Sequence, residues 1–266
     1  MNFERVARLK PSIDADGVLE LVLDVPGKLN ALDGALHKDL VDVWRDIDAD
    51  PAVRAVLLRA EGRAFSAGGQ MEWVSSFTDD FAARAAGFRE ARELVYNIVN
   101  CTKPTVSAIN GVAVGAGLAL AVLTDIPIAA KSAVLMDGHT RIGVAAGDQG
   151  VLWPIICGLT RARYHLLLCE RLTGEGAKDI GLVAECVEDA DLLPRARELA
   201  RRLAAGSPTA MRWTKHALNS WLRSALPAFD ASLAMEFLGF SGPDAKEGLA
   251  AVVEKREPVF TGPADD

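Results

Sequence analysis

The sequence predicts an α/β core followed by a helical C-terminal region. Short apolar runs with strand character alternate with amphipathic stretches of helical period over residues 1–190. Several strands leave through glycine-bearing turns, and strand signals thin out beyond Asp191, where helical patterns take over.

In chain order, residues 18–25 alternate weakly and read as a strand. Leu36, Leu40, Val43, Trp44 and Ile47 recur at helical spacing within 32–47, and Pro51 ends that helix. A strand over 54–60, a helix over 79–101 and a strand over 105–109 follow. Asn110-Gly111 is a turn signal, and Gly115, Ala116 and Gly117 open an Ala/Leu helix. Residues 126–130 and 133–136 read as short strands, Asp125 ends the preceding helix, and Asp148 would start a helix over 149–156. In the region 191–266, amphipathic helices are expected over 192–205, 207–226, 228–240 and 243–255. Ser207 is a candidate N-cap with Pro208 at the first helical position. Met211, Trp213, Trp221, Phe229, Met235, Phe237 and Phe240 make this region so apolar that it needs a partner surface; packing on the core of the same chain would supply one. The tail 262–266 reads as disordered.

The chain has 266 residues, 29 basic and 36 acidic, for a net charge of -7. It lacks the basic footprint of a nucleic-acid binder, so an anionic ligand would need a local basic rim. Cys101, Cys157, Cys169 and Cys186 lie far apart, without zinc-site spacing or a secretory leader before them. They are expected to be buried, reduced thiols in a cytoplasmic protein, with no metal site. The longest apolar stretch, 112–123, is too short to span a bilayer.

Two glycine-bearing strand exits carry the chemistry: SAINGVAVGAGLALA at 107–121 and EGRAFSAGGQM at 61–71. Amides at such exits, helped by a helix N-terminus, could hold an anion or an oxyanion that develops during catalysis; tight packing also needs small residues. With VPGKLNALD at 25–33 and DAKEGLAAVVEKREPVF at 244–260, the chain resembles the enoyl-CoA hydratase/isomerase (crotonase) family over nearly its whole length.

That resemblance implies a crotonase-like spiral of strand-strand-helix units whose C-terminal helices build a homotrimer, often paired into a dimer of trimers. It implies an acyl-CoA substrate, with coenzyme A as part of the substrate and no tightly bound cofactor. The backbone amides of Gly69 and Ala116 match the pair that holds the thioester oxygen. Lys28, Leu29, Ala67 and Gln70 fall where the family lays the CoA nucleotide and pantetheine arm. Family hydratases use two glutamates, and residue-by-residue matching puts Ala119 and His139 at those positions, so both are absent here.

His139 is then the candidate acid/base, and Asp148, nine residues on, is expected to orient its ring and fix its tautomer. Asp148 could equally cap a helix, and Asp137 is a second carboxylate near the same strand end. His37, His165 and His216 lie in helical patterns that face solvent or packing, and Ser66 lacks a nucleophile-elbow pattern. The leading expectation is a CoA thioester enzyme working through an enolate, with isomerisation or a specialised lyase step easier than hydration. The alternatives are a carbon-carbon bond hydrolase of a cyclic β-diketone, whose His/Asp pair this one resembles, and a catalytically silent acyl-CoA-binding member. The walls of the acyl pocket are expected from residues 73–88, and the sequence does not name the acyl chain.

Overall fold

The computed structural model describes residues 3–262, so residues 263–266 of the expected disordered tail lie outside the described residues. A 3-10 segment, Phe3–Leu9, precedes β1 (Ser12–Ile13), β2 (Val18–Leu23) and α1 (Gly34–Ala49). Next come β3 (Ala55–Ala60), β4 (Ala64–Ser66), α2 (Met71–Asp79) and α3 (Phe81–Asn100). The following turn is β5 (Thr105–Ile109), β6 (Val112–Val114) and α4 (Ala116–Val122). Then follow β7 (Ile126–Ala130), β8 (Val134–Met136), α5 (Leu152–Cys157), α6 (Leu159–Leu168), β9 (Leu172–Thr173), α7 (Gly174–Asp179) and β10 (Glu185–Val187). The chain closes with α8 (Leu192–Ala205), α9 (Pro208–Leu218), α10 (Ser220–Gly239) and α11 (Pro243–Glu254).

The pairs β3/β4, β5/β6 and β7/β8 each split between two sheets, a six-stranded sheet ordered β1-β2-β3-β5-β7-β10 and a four-stranded sheet ordered β4-β6-β8-β9. Pairing is parallel from β2 through β10 and from β4 through β8, with β1 and β9 antiparallel at edges. This is the expected strand-strand-helix spiral. Parallel strands covered on both faces read as continuous apolar runs, and Ala55, Val56, Leu57 and Leu58 of β3 are all buried. The five periodic apolar residues of α1 are buried too, and Asp33 caps the helix by accepting from the Leu36 N–H at 2.7 Å.

Three boundaries differ from expectation, each for a local reason. The helix expected over 79–101 is α3, which starts at Phe81 because Asp80 is extended and its carboxylate accepts from the Ala82 and Ala83 amides. The unforeseen α2 carries Trp73, Val74 and Phe77. Pro227 lies inside α10, and the break comes at Asn219, whose Nδ2 donates to Val99 O at 2.9 Å. The proline removes one helical hydrogen bond. Burial of Leu226, Phe229 and Leu233, with Asp230 accepting from Arg92 and Tyr96, carries the helix through it. Finally, the helix expected from residue 149 begins at Leu152 with Val151 at its N-cap position, so Asp148 does not cap it.

Ser207 caps α9 through the Ala210 N–H, with Pro208 first in the helix. Asp125 ties the core to that helix: it accepts from the Thr105 N–H and hydroxyl and pairs with buried Lys215 at 2.8 Å. Leu192, Ala196, Leu199 and Ala200 of α8 belong to the same apolar core as the strands. In the C-terminal region Phe229, Phe237 and Phe240 are buried, while Trp213, Trp221 and Met235 stand exposed, so self-packing covers only part of its apolar surface. The four cysteines are free; burial was expected of all four, and the structure buries Cys101 and Cys157 only. No helix among the described residues is long and apolar enough to cross a membrane.

Candidate active site

The two strand exits meet at one cavity. At the first, Asn30 adopts a left-handed conformation that asparagine tolerates (φ 54°) and clamps the loop. Its Oδ1 accepts from Val25 N–H, and its Nδ2 donates to the Glu61 and Ala64 carbonyls. The Ser66 hydroxyl donates to Asn30 O at 2.8 Å and accepts from the Gly68 N–H. Gly68 O accepts from Leu32 N–H and Gln70 N–H donates to Leu32 O, which leaves the Gly69 N–H without a hydrogen-bond partner among the described residues. Gly68 needs its glycine at φ +84°, and a Cβ on Gly69 would come 2.5 Å from Val74 Cγ2.

At the second exit Gly115 turns at φ 50° and donates to Met136 O, and Ala116 opens α4 with its own N–H unpaired among the described residues, as first-turn amides are. A Cβ on Gly117 would lie 2.5 Å from Ser66 Cβ, so α4 docks on the β4 exit. Gly69 and Ala116 therefore line the same cavity, which holds about 150 Å³ of free space.

A charged cluster forms one wall. His139 Nδ1 lies 2.7 Å from Asp137 Oδ2, and Asp137 Oδ1 accepts from the His139 backbone N–H. Asp137 is thus the group that orients the imidazole, in the place where Asp148 was expected. Asp148 Oδ1 sits 3.6 Å from the same nitrogen, buried and without a hydrogen-bond partner among the described residues. Glu236, from α10, completes the cluster: Oε1 lies 3.6 Å from His139 Nε2, and Oε2 accepts from the Asp148 N–H at 2.9 Å.

The protonation states follow from burial set against mutual charge. Burial disfavours the imidazolium, but Asp137, Asp148 and Glu236 together raise His139 well above its ordinary value, so it is cationic at neutral pH. Burial pushes the Asp148 carboxyl up to about 6 against the pull of His139. Burial also lifts Glu236, with a further push from Asp148, to about 8. Of the two carboxyls, Asp148 is the readier to ionise and Glu236 the one that holds its proton longer.

Asp137, His139 and Asp148 place ligand-type atoms within 4.8 Å of one another. The 2.7 Å separation of His139 Nδ1 and Asp137 Oδ2 is a hydrogen bond. Two ligands about 2.0–2.1 Å from a tetrahedral ion would stand roughly 3.3 Å apart, so the pair is spaced for a proton. Ala119 is buried within α4 and does not line the cavity. Of the four residues matched to the CoA arm, Ala67 lines the cavity and its N–H donates to Leu29 O at 3.0 Å. Lys28 and Leu29 are exposed, and Gln70 Nε2 donates to Ala31 O.

Glu236 and His37 went unforeseen as cavity residues. His37 is buried, its ring 5.0 Å from that of Trp73 and its Nδ1 3.4 Å from Glu90 Oε2. His165 packs beside Trp153 and Tyr164, and His216 is exposed, as their helical patterns suggested. A signal for Glu236 existed: it shares the helical stripe of Leu226, Phe229, Leu233 and Phe240, a lone acid on an apolar face.

A spiral of paired sheets whose strand exits at Gly69 and Ala116 line a cavity with buried acids is a fold of the crotonase type. A family profile described as enoyl-CoA hydratase/isomerase matches residues 14–263, and the chain belongs to that family. It is 35% identical to a probable enoyl-CoA hydratase of Rhodobacter capsulatus, over 93% of this chain and 96% of that one. It is 32% identical to 1,2-epoxyphenylacetyl-CoA isomerase of Escherichia coli, over 92% and 95%. The crystal structure of an enoyl-CoA hydratase/isomerase from Mycobacterium paratuberculosis superposes with a TM-score of 0.86 at 31% identity, covering 91% of this chain and 98% of that one.

Proposed function

We propose that this chain binds an unsaturated acyl-CoA with its thioester oxygen between the Gly69 and Ala116 amides and shifts the double bond, with Asp148 as the base. The observation that carries this reading is the Asp148 carboxylate, whose buried Oδ1 has no hydrogen-bond partner among the described residues and stands on the cavity wall beside a cation. A general base works best with a pKa near the working pH, and Asp148 at about 6 meets that condition.

In this reaction Asp148 takes a proton from the α-carbon of a β,γ-unsaturated thioester. The C–H electron pair enters a dienolate whose oxygen accepts hydrogen bonds from the two amides. Asp148 returns the proton at the γ-carbon, and the double bond ends between the α- and β-carbons. His139, held by Asp137, keeps Asp148 ionised and places positive charge near the dienolate; it serves as the cationic partner in place of the base. Nothing is added or lost, so one carboxylate suffices and no tightly bound cofactor is required. Lys28, Leu29, Ala67 and Gln70 form the rim along which the CoA arm lies. The exposed Trp213 and Trp221 support assembly into a homotrimer or a dimer of trimers, and the free thiols support a cytoplasmic location.

Hydrolysis of a carbon-carbon bond in a cyclic β-diketone is a second reading, favoured by Glu236. An uncharged acid beside an ionised base would activate water at Asp148 and protonate the departing enolate carbon. Absorbance of the conjugated product formed from a β,γ-enoyl-CoA tests the choice. Conversion that Asp148→Asn abolishes supports isomerisation. Cleavage of a cyclic 1,3-diketone with no thioester conversion supports hydrolysis, and thioester binding with neither reaction marks a silent binder.

A further inference from the structure

We propose that the acyl group this site accepts is a single carbocyclic ring, aromatic or partly unsaturated, in preference to a linear chain; the proposal rests on the thioester reading above. The cavity holds about 150 Å³. A dry protein cavity of that size accommodates one benzene molecule.

Four aromatic rings line the same cavity. Trp73 and Phe77 come from α2, and Phe237 and Phe240 from the end of α10 and the residue after it. Phe77 meets Trp73 edge-on at 5.2 Å and 72°, and Phe240 at 5.4 Å and 71°. It also meets Phe237 at 5.5 Å, and Phe237 meets Phe240 at 5.8 Å. Tilted and edge-to-face contacts of this kind are each favourable beyond their buried area, so the four rings brace one another. A longer acyl chain would have to displace Phe77 or Phe237.

Gly87, in the middle of α3, is shaped to the same wall. An added Cβ there would come 2.8 Å from Phe77 Cζ and 3.0 Å from Phe237 Cε1. A glycine inside a helix costs about 1 kcal/mol relative to alanine, and here it admits the edges of two of the rings that line the cavity. With the charged wall and the rings lining one cavity, a cyclic acyl group lies against the aromatics while its α-carbon faces Asp148.

Calorimetric titration of the protein with phenylacetyl-CoA, octanoyl-CoA and free CoA tests this. Phenylacetyl-CoA should bind at least about tenfold more tightly than octanoyl-CoA, the low end of what an apolar pocket discriminates. Phe237→Ala should erase that preference by opening the aromatic wall. Gly87→Ala, which favours the helix, should push the rings inward and weaken phenylacetyl-CoA while leaving free CoA unchanged. Octanoyl-CoA binding as tightly as phenylacetyl-CoA overturns the ring proposal and leaves the thioester reading standing. Neither thioester binding more tightly than free CoA, with no double-bond shift, overturns both.

Discussion

Glu236 Oε1 lies 3.6 Å from His139 Nε2, so a carboxyl group carried by α10 closes a site otherwise built from strand exits of the core. The C-terminal helices therefore contribute a side chain to the cavity as well as to the packing. Glu236 fixes the backbone of Asp148 by accepting its N–H, and its charge, when it is ionised, adds to that of the two aspartates in raising His139.

The first consequence is a bell-shaped pH profile for kcat/KM. Asp148 works ionised, so the rate should climb as pH rises through about 6. Ionisation of Glu236 near 8 puts a second negative charge against Asp148, so the rate should fall above that pH. The limbs belong to the coupled cluster and not to single residues. Glu236→Gln should remove the alkaline limb and leave the acid one; an unchanged alkaline limb would exclude Glu236 as its source.

Replacing His139 removes the cation that pulls the Asp148 pKa down. His139→Ala should lower kcat at neutral pH by about 100-fold, the low end of general acid-base effects, and move the acid limb to higher pH. A loss of rate with the acid limb in place would mean that His139 does not tune Asp148.

Stability should depend on pH through Glu236. Its folded pKa of about 8 exceeds the ordinary carboxyl value, so the folded state holds the proton more tightly than the unfolded chain. Stability from this group is full below the ordinary value and is lost as pH rises through about 8. Glu236→Gln keeps an acceptor for the Asp148 N–H and cannot ionise. Its stability relative to the parent, read by urea unfolding at several pH values, should grow between pH 5 and pH 9. A constant difference would contradict the assignment.

Asn30→Ala removes the clamp that shapes the first strand exit. Three hydrogen bonds are lost, to Val25, Glu61 and Ala64, in a buried setting. At about 1 kcal/mol each the variant should lose roughly 3 kcal/mol by chemical denaturation. A loss below about 1 kcal/mol would show that the loop holds without the clamp.

Much of the architecture was legible because local chemistry and burial agree. Leu36, Leu40, Val43, Trp44 and Ile47 announce α1, Ser207-Pro208 announces α9, and the glycines at 68, 69, 115 and 117 announce the two exits. α2 was obscured because it is a nine-residue helix separated from α3 by the single capping residue Asp80. Pro227 reads locally as a helix end, and burial on the core overrides it. At the site, His139 and Asp148 were visible as a pair, but which aspartate holds the ring depends on the turn after β8, where Asp137 sits two residues from His139. Glu236 lies 97 residues beyond His139, and only tertiary packing joins them.

In the proposed reaction Asp148 removes the α-proton of a thioester bound at Gly69 and Ala116. Exchange of solvent deuterium into the α-carbon of a bound acyl-CoA, followed by mass spectrometry, measures that step apart from any later one. The parent protein should exchange readily, and Asp148→Asn should slow exchange by about 100-fold or more while still binding the thioester. Exchange that persists in Asp148→Asn at the parent rate would contradict the account.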